Sequence, residues 1–310
     1  MGSLKGRSLV HVDDLTVQEM EAVLDVAEKM VPVAEGKQRL RACEGKLLAT
    51  LFFEPSTRTR LSFEAAMARM GGTSLGFAEP RSSSAAKGET LADTIRVAGS
   101  YADLIVLRHP HEGSARLAQK FSRVPIVNGG DGAGQHPTQT LLDLFTIRRE
   151  KGAIGKQRVA LVGDLKYGRT VHSLATALAR FGADVVCVAP PQLQMPADTV
   201  QALKAQGGRV EQVHKLEDVI GTTDVLYVTR IQKERFPDVE EYNKVAGSYI
   251  VDANLLSKAK GSAIVMHPLP RVGEIAADVD TTSHAKYFQQ SFYGVPVRMA
   301  ILGGILGVLE

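Results

Sequence analysis

Residues 46–60 read KLLATLFFEPSTRTR, an apolar run followed by a proline, three hydroxyl residues and two arginines. The run predicts a buried strand, and the polar residues predict a sharp turn into a helix. The start of a helix attracts anions, because its free backbone N–H groups and its dipole favour negative charge. Helix capping would explain Ser56 and Thr57, but arginines are unfavourable there unless an anion is bound. We therefore predict a phosphate-binding site at Ser56, Thr57, Arg58 and Thr59.

The composition limits the possible classes of function. The chain has 310 residues, 44% of them hydrophobic and 23% charged, which is enough for a large core and two domains. A net charge of +3, no tryptophan and 5% aromatic residues disfavour a nucleic-acid surface and favour a small anionic substrate. Cys43 and Cys187 form no zinc pattern, so we predict no metal. No apolar run reaches the roughly 18 residues of a membrane span, and we expect a cytoplasmic protein, with an organelle as the alternative.

Alternating strand and helix patterns predict an α/β fold with two doubly wound domains, each a parallel β-sheet flanked by helices. We predict domains at 1–150 and 151–286, with a C-terminal helix in 287–310 that returns to the first domain. The predicted strands are 47–53, 74–77, 104–107, 124–127, 159–162, 185–188, 225–228, 250–251 and 264–265. The predicted helices start near 16, 170, 196 and 216 or span 57–70, 89–101, 137–151 and 297–309. Residues 128–134 are predicted to form a turn and residues 81–89 a loop.

Polar residues follow the predicted strands, where ligands bind in doubly wound sheets. These groups are 56–59, 108–110, 135–139, 164–170, 229–232 and 267–271, and five of the six contain an arginine. His136 and Gln139 are three residues apart at a helix start, so they share a face that can hold a carbonyl oxygen and an amide. Each residue taken alone has an alternative interpretation. His136 would then be a structural residue, and Arg108 would be a solvated surface residue.

Several familiar catalytic motifs are missing from the sequence. Gly163 and Gly168 do not form G-x-G-x-x-G, so a nicotinamide cofactor has little support. There is also no phosphate-binding P-loop, no G-x-S-x-G nucleophile elbow and no H-E-x-x-H zinc motif. We therefore predict chemistry that uses neither a cofactor nor a covalent nucleophile and in which arginines and hydroxyl groups position two anions.

The motifs together resemble the transcarbamoylase family. The resemblance rests on FEPSTRTR at 53–60, KGETLADT at 87–94, RHP at 108–110, HPTQ at 136–139 and HPLP at 267–270. Residues 163–173 and 229–235 resemble the aspartate-specific catalytic chains of that family. Ornithine-specific members typically have cysteine at the position of Pro268 and a Ser-Met-Gly element, and this chain has neither.

The resemblance implies two substrates and a residue set for each. Carbamoyl phosphate would be bound by Ser56, Thr57, Arg58, Thr59, Ser83, Arg108, His136 and Gln139. L-aspartate would be bound by Lys87, Arg169, Arg230, Gln232, Leu269 and Pro270. The catalytic residues would be Arg58, Thr59, Lys87, Arg108 and His136, with a neutral His136 donating to the carbonyl oxygen.

The resemblance also implies an assembly. In the family, the residues at the positions of Ser83 and Lys87 reach into a neighbouring subunit's site, so a homotrimer with shared sites is expected. Whether separate regulatory chains join the trimer is left open by the sequence. The alternatives left open are a carbamoyltransferase for another amino acid such as ornithine, a binding protein that has lost catalysis, and a nicotinamide oxidoreductase.

Overall fold

A computed structural model describes residues 1–79, 87–231, 238, 240, 242, 245 and 247–309, except for the side chain of residue 169. The chain divides into two compact units, Met1–Phe145 with Phe292–Glu310, and Thr146–Ser291. The last helix therefore returns to the first unit, as predicted. None of the helices in the described ranges is long and apolar enough to cross a membrane.

The first unit contains a four-stranded parallel sheet in the order β2-β1-β3-β4. Its strands are β1 Leu47–Phe52, β2 Thr73–Phe77, β3 Leu104–His109 and β4 Ile126–Asp131. Its helices are α1 Val17–Ala34, α2 Thr57–Arg69, α3 Leu91–Tyr101, α4 Ser114–Phe121 and the start of α5 Pro137–Lys151. β1 is buried along almost its whole length, as expected for a parallel strand covered on both faces.

The second unit contains a five-stranded parallel sheet in the order β7-β6-β5-β8-β9. Its strands are β5 Arg158–Val162, β6 Asp184–Val188, β7 Arg209–Val213, β8 Val225–Val228 and β9 Ile264–Met266. The helices described there are α6 Arg169–Arg180, α7 Ala197–Ala205 and α8 Ala253–Leu256, and α9 Tyr287–Leu306 follows. The predicted fold class, two doubly wound α/β sheets, is confirmed.

Each sheet has one switch point, which lies between two neighbouring central strands. From the first of these strands the chain adds strands on one side, and it then returns to add strands on the other side. The switch points lie between β1 and β3 in the first unit and between β5 and β8 in the second. Ligands of doubly wound sheets bind at the carboxyl ends of these strands. The polar groups predicted at 56–59, 164–170 and, as far as it is described, 229–232 follow strands that flank the two switch points, and Arg108 and His109 form the carboxyl end of β3.

At the opposite end of each sheet, where the two central strands begin, an aspartate side chain links these strands. The Asp103 carboxylate accepts the Leu47 N–H, and the Asp224 carboxylate accepts the Arg158 N–H, both at 2.9 Å. Each aspartate also binds a lysine. Burial alone would raise the pKa of both carboxyls, but these hydrogen bonds and the lysine charges lower it. Both carboxylates are therefore stabilised in the charged form.

Several sequence predictions differ from the structure. The helix predicted near 216 is only two 3-10 turns, Leu216–Asp218 and Ile220–Thr222, α4 was not predicted, and α9 begins at 287 instead of 297. Residues 128–131 were expected in a turn, yet they extend β4, because the buried Asn128 and the glycines after it fit beside a bulge in β3. β7 was not predicted, since it is a half-exposed edge strand with polar Glu211 and Gln212. Residues 250–251 form no strand of the sheet, only a single bridge from Val251 to Ile275.

Candidate functional site

The first turn of α2 leaves its backbone N–H groups without a side-chain cap. Ser56 is the N-cap residue with extended backbone, but its hydroxyl makes no capping hydrogen bond, and the turn contains no acidic residue. Thr57 and Arg58 are exposed, whereas Thr59 is buried. Uncapped N–H groups and the dipole of a 13-residue helix create a positive site for an anion.

Arg108 brings a second guanidinium to this switch point. β1 and β3 pair in register up to Phe52 and Arg108. Arg108 donates from Nη1 to the Gly129 carbonyl at 3.0 Å, and Nη2 lies 3.2 Å from a Glu54 carboxylate oxygen. Burial lowers the pKa of Arg108, the Glu54 charge raises it, and the Arg58 charge lowers it further. Two nearby like charges are thus only partly balanced, which favours binding of an anion.

The two arginines near the start of α2, Arg58 and Arg60, differ in their partners. Arg60 lies 3.4 Å from the Glu64 carboxylate one turn along the helix, and Thr50 donates to the same oxygen at 3.2 Å. Arg58 has no carboxylate partner among the described residues, and partial burial lowers its pKa. Of the pair that the sequence singled out, Arg58 is therefore the one available for a ligand.

A buried polar network holds the turn between β4 and α5. Asn128 is fully buried and donates to the Val10 carbonyl at 3.0 Å and to Asp131 at 2.9 Å. Asp131 also accepts the Gln135 N–H at 2.8 Å. The network fixes the backbone just before His136, because each buried polar group is satisfied by a specific partner. Sequence reasoning missed both Asn128 and Asp131, which it had assigned to a turn.

His136 immediately precedes α5, and Gln139 lies in its first turn. His136 is 5% exposed, and its Nδ1 lies 3.4 Å from the Thr138 hydroxyl. Gln139 donates from Nε2 to the buried Asp143 carboxylate at 2.9 Å. Since a carboxylate only accepts, this bond leaves the Gln139 carbonyl oxygen as the group that can accept an amide N–H. Asp143 was missed by the sequence, although its place four residues after Gln139 on one helix face is a recognisable signal.

The switch point of the second unit needs glycine at residue 163. Gly163 has a φ of 115°, and a Cβ there would lie 2.4 Å from the Thr229 carbonyl oxygen. Thr229 donates from its N–H and its hydroxyl to the Val162 carbonyl, at 2.8 and 3.0 Å. The ends of β5 and β8 therefore approach more closely than a side chain at 163 would allow.

A cavity of about 320 Å³ opens at this switch point. Its walls include Arg230, two residues after the end of β8, together with Tyr249 and Glu274, and Arg230 is half-buried. The cavity wall thus contains an arginine, and a carboxylate is the group that pairs best with a guanidinium. Sequence reasoning did not place Tyr249 or Glu274 here, because neither directly follows a strand of the sheet.

The segment after β9 has an unusual backbone. Leu269 has a φ of 55°, and the Leu269–Pro270 peptide bond is cis. The Leu269 N–H donates to Nδ1 of His267 at 2.8 Å, so the ring proton lies on Nε2, which donates to Glu274 at 2.6 Å. Burial would raise the pKa of Glu274, but the His267 bond and three backbone N–H groups lower it to about 2. Glu274 is therefore an anion, held inside the protein by four donors.

The remaining predicted residues are described in part or not at all. Lys87 is exposed at the start of the described residues before α3. Arg169 begins α6, whose first turn has no side-chain cap, but its side chain lies outside the described residues. Ser83 and Gln232 also lie outside them. No cluster of three or more potential metal ligands occurs among the residues that the structure describes.

Comparisons with known proteins give one consistent result. Residues 7–149 match the carbamoyl-phosphate-binding domain model of the aspartate/ornithine carbamoyltransferases, and residues 155–304 match the aspartate/ornithine-binding domain model. The chain is 56% identical to an aspartate carbamoyltransferase catalytic subunit of Methanosarcina acetivorans over 306 residues, 99% of each chain.

Solved structures agree with the sequence matches. The catalytic subunit of M. jannaschii aspartate transcarbamoylase has a TM-score of 0.91 and 54% identity, over 97% of this chain and 98% of that chain. Aspartate transcarbamoylase from Trypanosoma cruzi in complex with N-(phosphonacetyl)-L-aspartic acid has a TM-score of 0.93 and 42% identity, over 99% of this chain and 98% of that chain.

Proposed function

The chain belongs to the aspartate/ornithine carbamoyltransferase family, as its motifs predicted, and we propose that it transfers the carbamoyl group of carbamoyl phosphate to L-aspartate. The amine nitrogen forms a bond to the carbamoyl carbon, the bond from that carbon to the phosphate oxygen breaks, and phosphate takes the amine proton. The products are N-carbamoyl-L-aspartate and phosphate. The observation that carries the proposal is the uncapped start of α2 beside Arg58 and Arg108, whose two positive charges are only partly balanced by Glu54.

Carbamoyl phosphate fits the groups of the first unit. The phosphate is bound by the first-turn N–H groups and hydroxyls of α2, with Arg58 and Arg108 supplying charge. Thr59, Arg108 and a neutral His136 donate to the carbamoyl oxygen, and the Gln139 carbonyl accepts from the carbamoyl amide. Such donors strengthen as the tetrahedral oxyanion forms, by roughly 3 to 4 kcal/mol for a well-placed donor in other enzymes.

L-aspartate fits the groups of the second unit. Arg230, Arg169 and Gln232 bind its carboxylates, and Lys87, from the first unit of a neighbouring subunit, completes the set. The backbone carbonyls of Leu269 and Pro270 accept from the amine, which orients its lone pair for attack. A cationic side chain such as that of ornithine would be repelled by Arg230, and this supports the dicarboxylate as acceptor.

The assembly and its setting are part of the proposal. A homotrimer in which Ser83 and Lys87 serve a neighbouring subunit's site would explain why Lys87 is exposed in the single chain. Such an enzyme would act in pyrimidine biosynthesis in the cytoplasm. Relatives are named as catalytic subunits, which supports a separate regulatory chain.

The test is a colorimetric assay of the carbamoylated amino acid that the purified protein forms from carbamoyl phosphate. Aspartate is the acceptor in one arm, and ornithine is the acceptor in the other. Product from aspartate and none from ornithine supports the proposal, and no product from either acceptor refutes it. Shared sites are tested by mixing inactive Arg58→Ala subunits with inactive Lys87→Gln subunits. If each site uses Lys87 from a neighbour, mixed trimers regain part of the activity, and no recovery in mixtures shown to exchange subunits contradicts sharing.

A further inference from the structure

The loop 267–274 is held from inside by the side chains at its two ends. His267 is 2% exposed and accepts the Leu269 N–H on Nδ1 at 2.8 Å. Glu274 accepts the N–H groups of Val272 and Gly273 on one carboxylate oxygen, at 3.1 and 3.0 Å. The two side chains meet at 2.6 Å, from His267 Nε2 to the other carboxylate oxygen of Glu274. Three backbone N–H groups of one loop therefore depend on a single His–Glu pair.

Backbone hydrogen bonds attach this pair to the rest of the second unit. The His267 N–H donates to the Gln290 side chain at 2.8 Å, and Gln290 is 1% exposed. The Glu274 carbonyl accepts the Val251 N–H at 2.9 Å. Both ends of the loop are thus fixed independently, so the pair sets the conformation of the residues between them.

The loop also forms part of the candidate site. Val272, Gly273 and Glu274 line the cavity that contains Arg230. Leu269, whose N–H the pair holds, is the residue whose carbonyl is assigned to the acceptor amine. A displacement of the loop would therefore move the amine acceptor and a cavity wall together.

We propose that His267 and Glu274 are positioning residues for the acceptor amino acid, which hold Leu269 and the cavity wall in the geometry that binds it. This inference rests on the proposed function, because it takes the second unit as the acceptor site. The pair is assigned the role of positioning the loop, not of binding substrate. It acts through the loop backbone, and it requires an ionised Glu274 with two accepting oxygens and a His267 that carries its proton on Nε2.

Substitution by glutamine tests this requirement with little change in volume. In Glu274→Gln one accepting oxygen becomes an NH₂ group, so either His267 or the Val272 and Gly273 N–H groups lose their acceptor. We expect the KM for aspartate to rise about tenfold or more, with a smaller change in kcat, because charge-assisted hydrogen bonds are lost only at this loop. Carbamoyl phosphate binding, measured by calorimetry, should change less than about twofold, since its site is in the first unit.

Asp224→Asn is the matched control. The Asp224 carboxylate also accepts a backbone N–H and binds a lysine, but it does so at the opposite end of the same sheet, where the strands begin. The substitution should lower the melting temperature and leave the KM for aspartate unchanged. An equal rise of that KM in both variants would overturn the proposal, because it would show general loosening of the unit.

Two variants of His267 keep the test decisive if Glu274→Gln does not fold. The amide introduced by His267→Asn retains an acceptor near the position of Nδ1 for the Leu269 N–H, whereas His267→Ala leaves none. Partial rescue of the KM for aspartate by the asparagine variant supports positioning of Leu269. Equal KM values for wild type and both variants refute it. A wild-type protein without turnover would instead contradict the proposed function, so the two failures are distinguishable.

Discussion

Arg58→Ala should abolish most activity and leave the protein at least as stable as before. Arg58 has no carboxylate partner among the described residues, sits in the first turn of α2 and is electrostatically coupled to Arg108. Removing a cation from a helix N-terminus is worth about 0.3 to 1 kcal/mol in stability, and alanine is also the better helix former. We therefore expect the free energy of unfolding in urea to stay equal or rise by up to about 1 kcal/mol.

The same change should remove a donor to the phosphate. Loss of one preorganised charged donor costs about 3 to 4 kcal/mol in the transition state, which corresponds to a fall in kcat/KM of about 10²- to 10³-fold. Steady-state assays with aspartate and carbamoyl phosphate measure this fall. Inorganic phosphate should raise the melting temperature of the wild type, because it binds only the folded state, and should raise that of the variant much less.

Arg60→Ala is the control on the same helix. Arg60 pairs with Glu64, so its loss should cost about 0.3 to 0.5 kcal/mol of stability and change kcat/KM by no more than a few-fold. The argument is refuted if Arg58→Ala keeps kcat/KM within tenfold of the wild type. It is also refuted if that variant is destabilised by more than about 2 kcal/mol, because Arg58 would then have a structural role.

Three further predictions concern buried groups. Asp143→Asn should cost about 3 to 5 kcal/mol and lower the melting temperature by roughly 10 °C, because Arg298 loses its counter-charge; Arg298 is fully buried and its pKa is lowered to about 9. An unchanged melting curve would contradict this. The pKa of Glu274 is lowered to about 2 from 4.5, so its contribution to stability is present above pH 4.5 and is lost as the pH falls towards 2. Between these pH values the free energy of unfolding in urea should fall more steeply for the wild type than for Glu274→Gln. Parallel falls in the two proteins would contradict a stabilising role for the Glu274 carboxylate. Burial raises the pKa of Cys43 to about 11 and of Cys187 to about 12, so neither thiol should react with a thiol reagent at pH 8 until urea unfolds the chain; rapid labelling of the native protein would disprove their burial.

The sequence predicted those elements whose signals are local. The helix predicted at 137–151 agrees with α5, because Pro137 suits the first helical position and apolar periodicity follows it. The strand predicted at 159–162 matches β5 to within one residue, since a short apolar run is typical of a buried parallel strand. β7 was missed because an edge strand does not need apolar residues on both faces.

The candidate site also has features that the sequence predicts and features that it does not. An anion could be assigned to residues 56–59, because the start of a helix creates its own field and needs only neighbouring residues. The ion-pair partner of each side chain could not be assigned. The sequence does not indicate that Arg60 pairs with Glu64 while Arg58 is left for a ligand.

The sequence by itself therefore determined the two-sheet fold, the family and the chemical types of the groups at the strand ends. The tertiary structure decided how those groups are oriented and charged. Asp143 orients Gln139, and Glu274 is kept ionised by His267 and by backbone N–H groups. Arg298 lies beside Thr138, a residue 160 positions earlier in the chain. Such contacts depend on folding that joins distant segments in a low-dielectric interior, where one partner decides the charge and the direction of another.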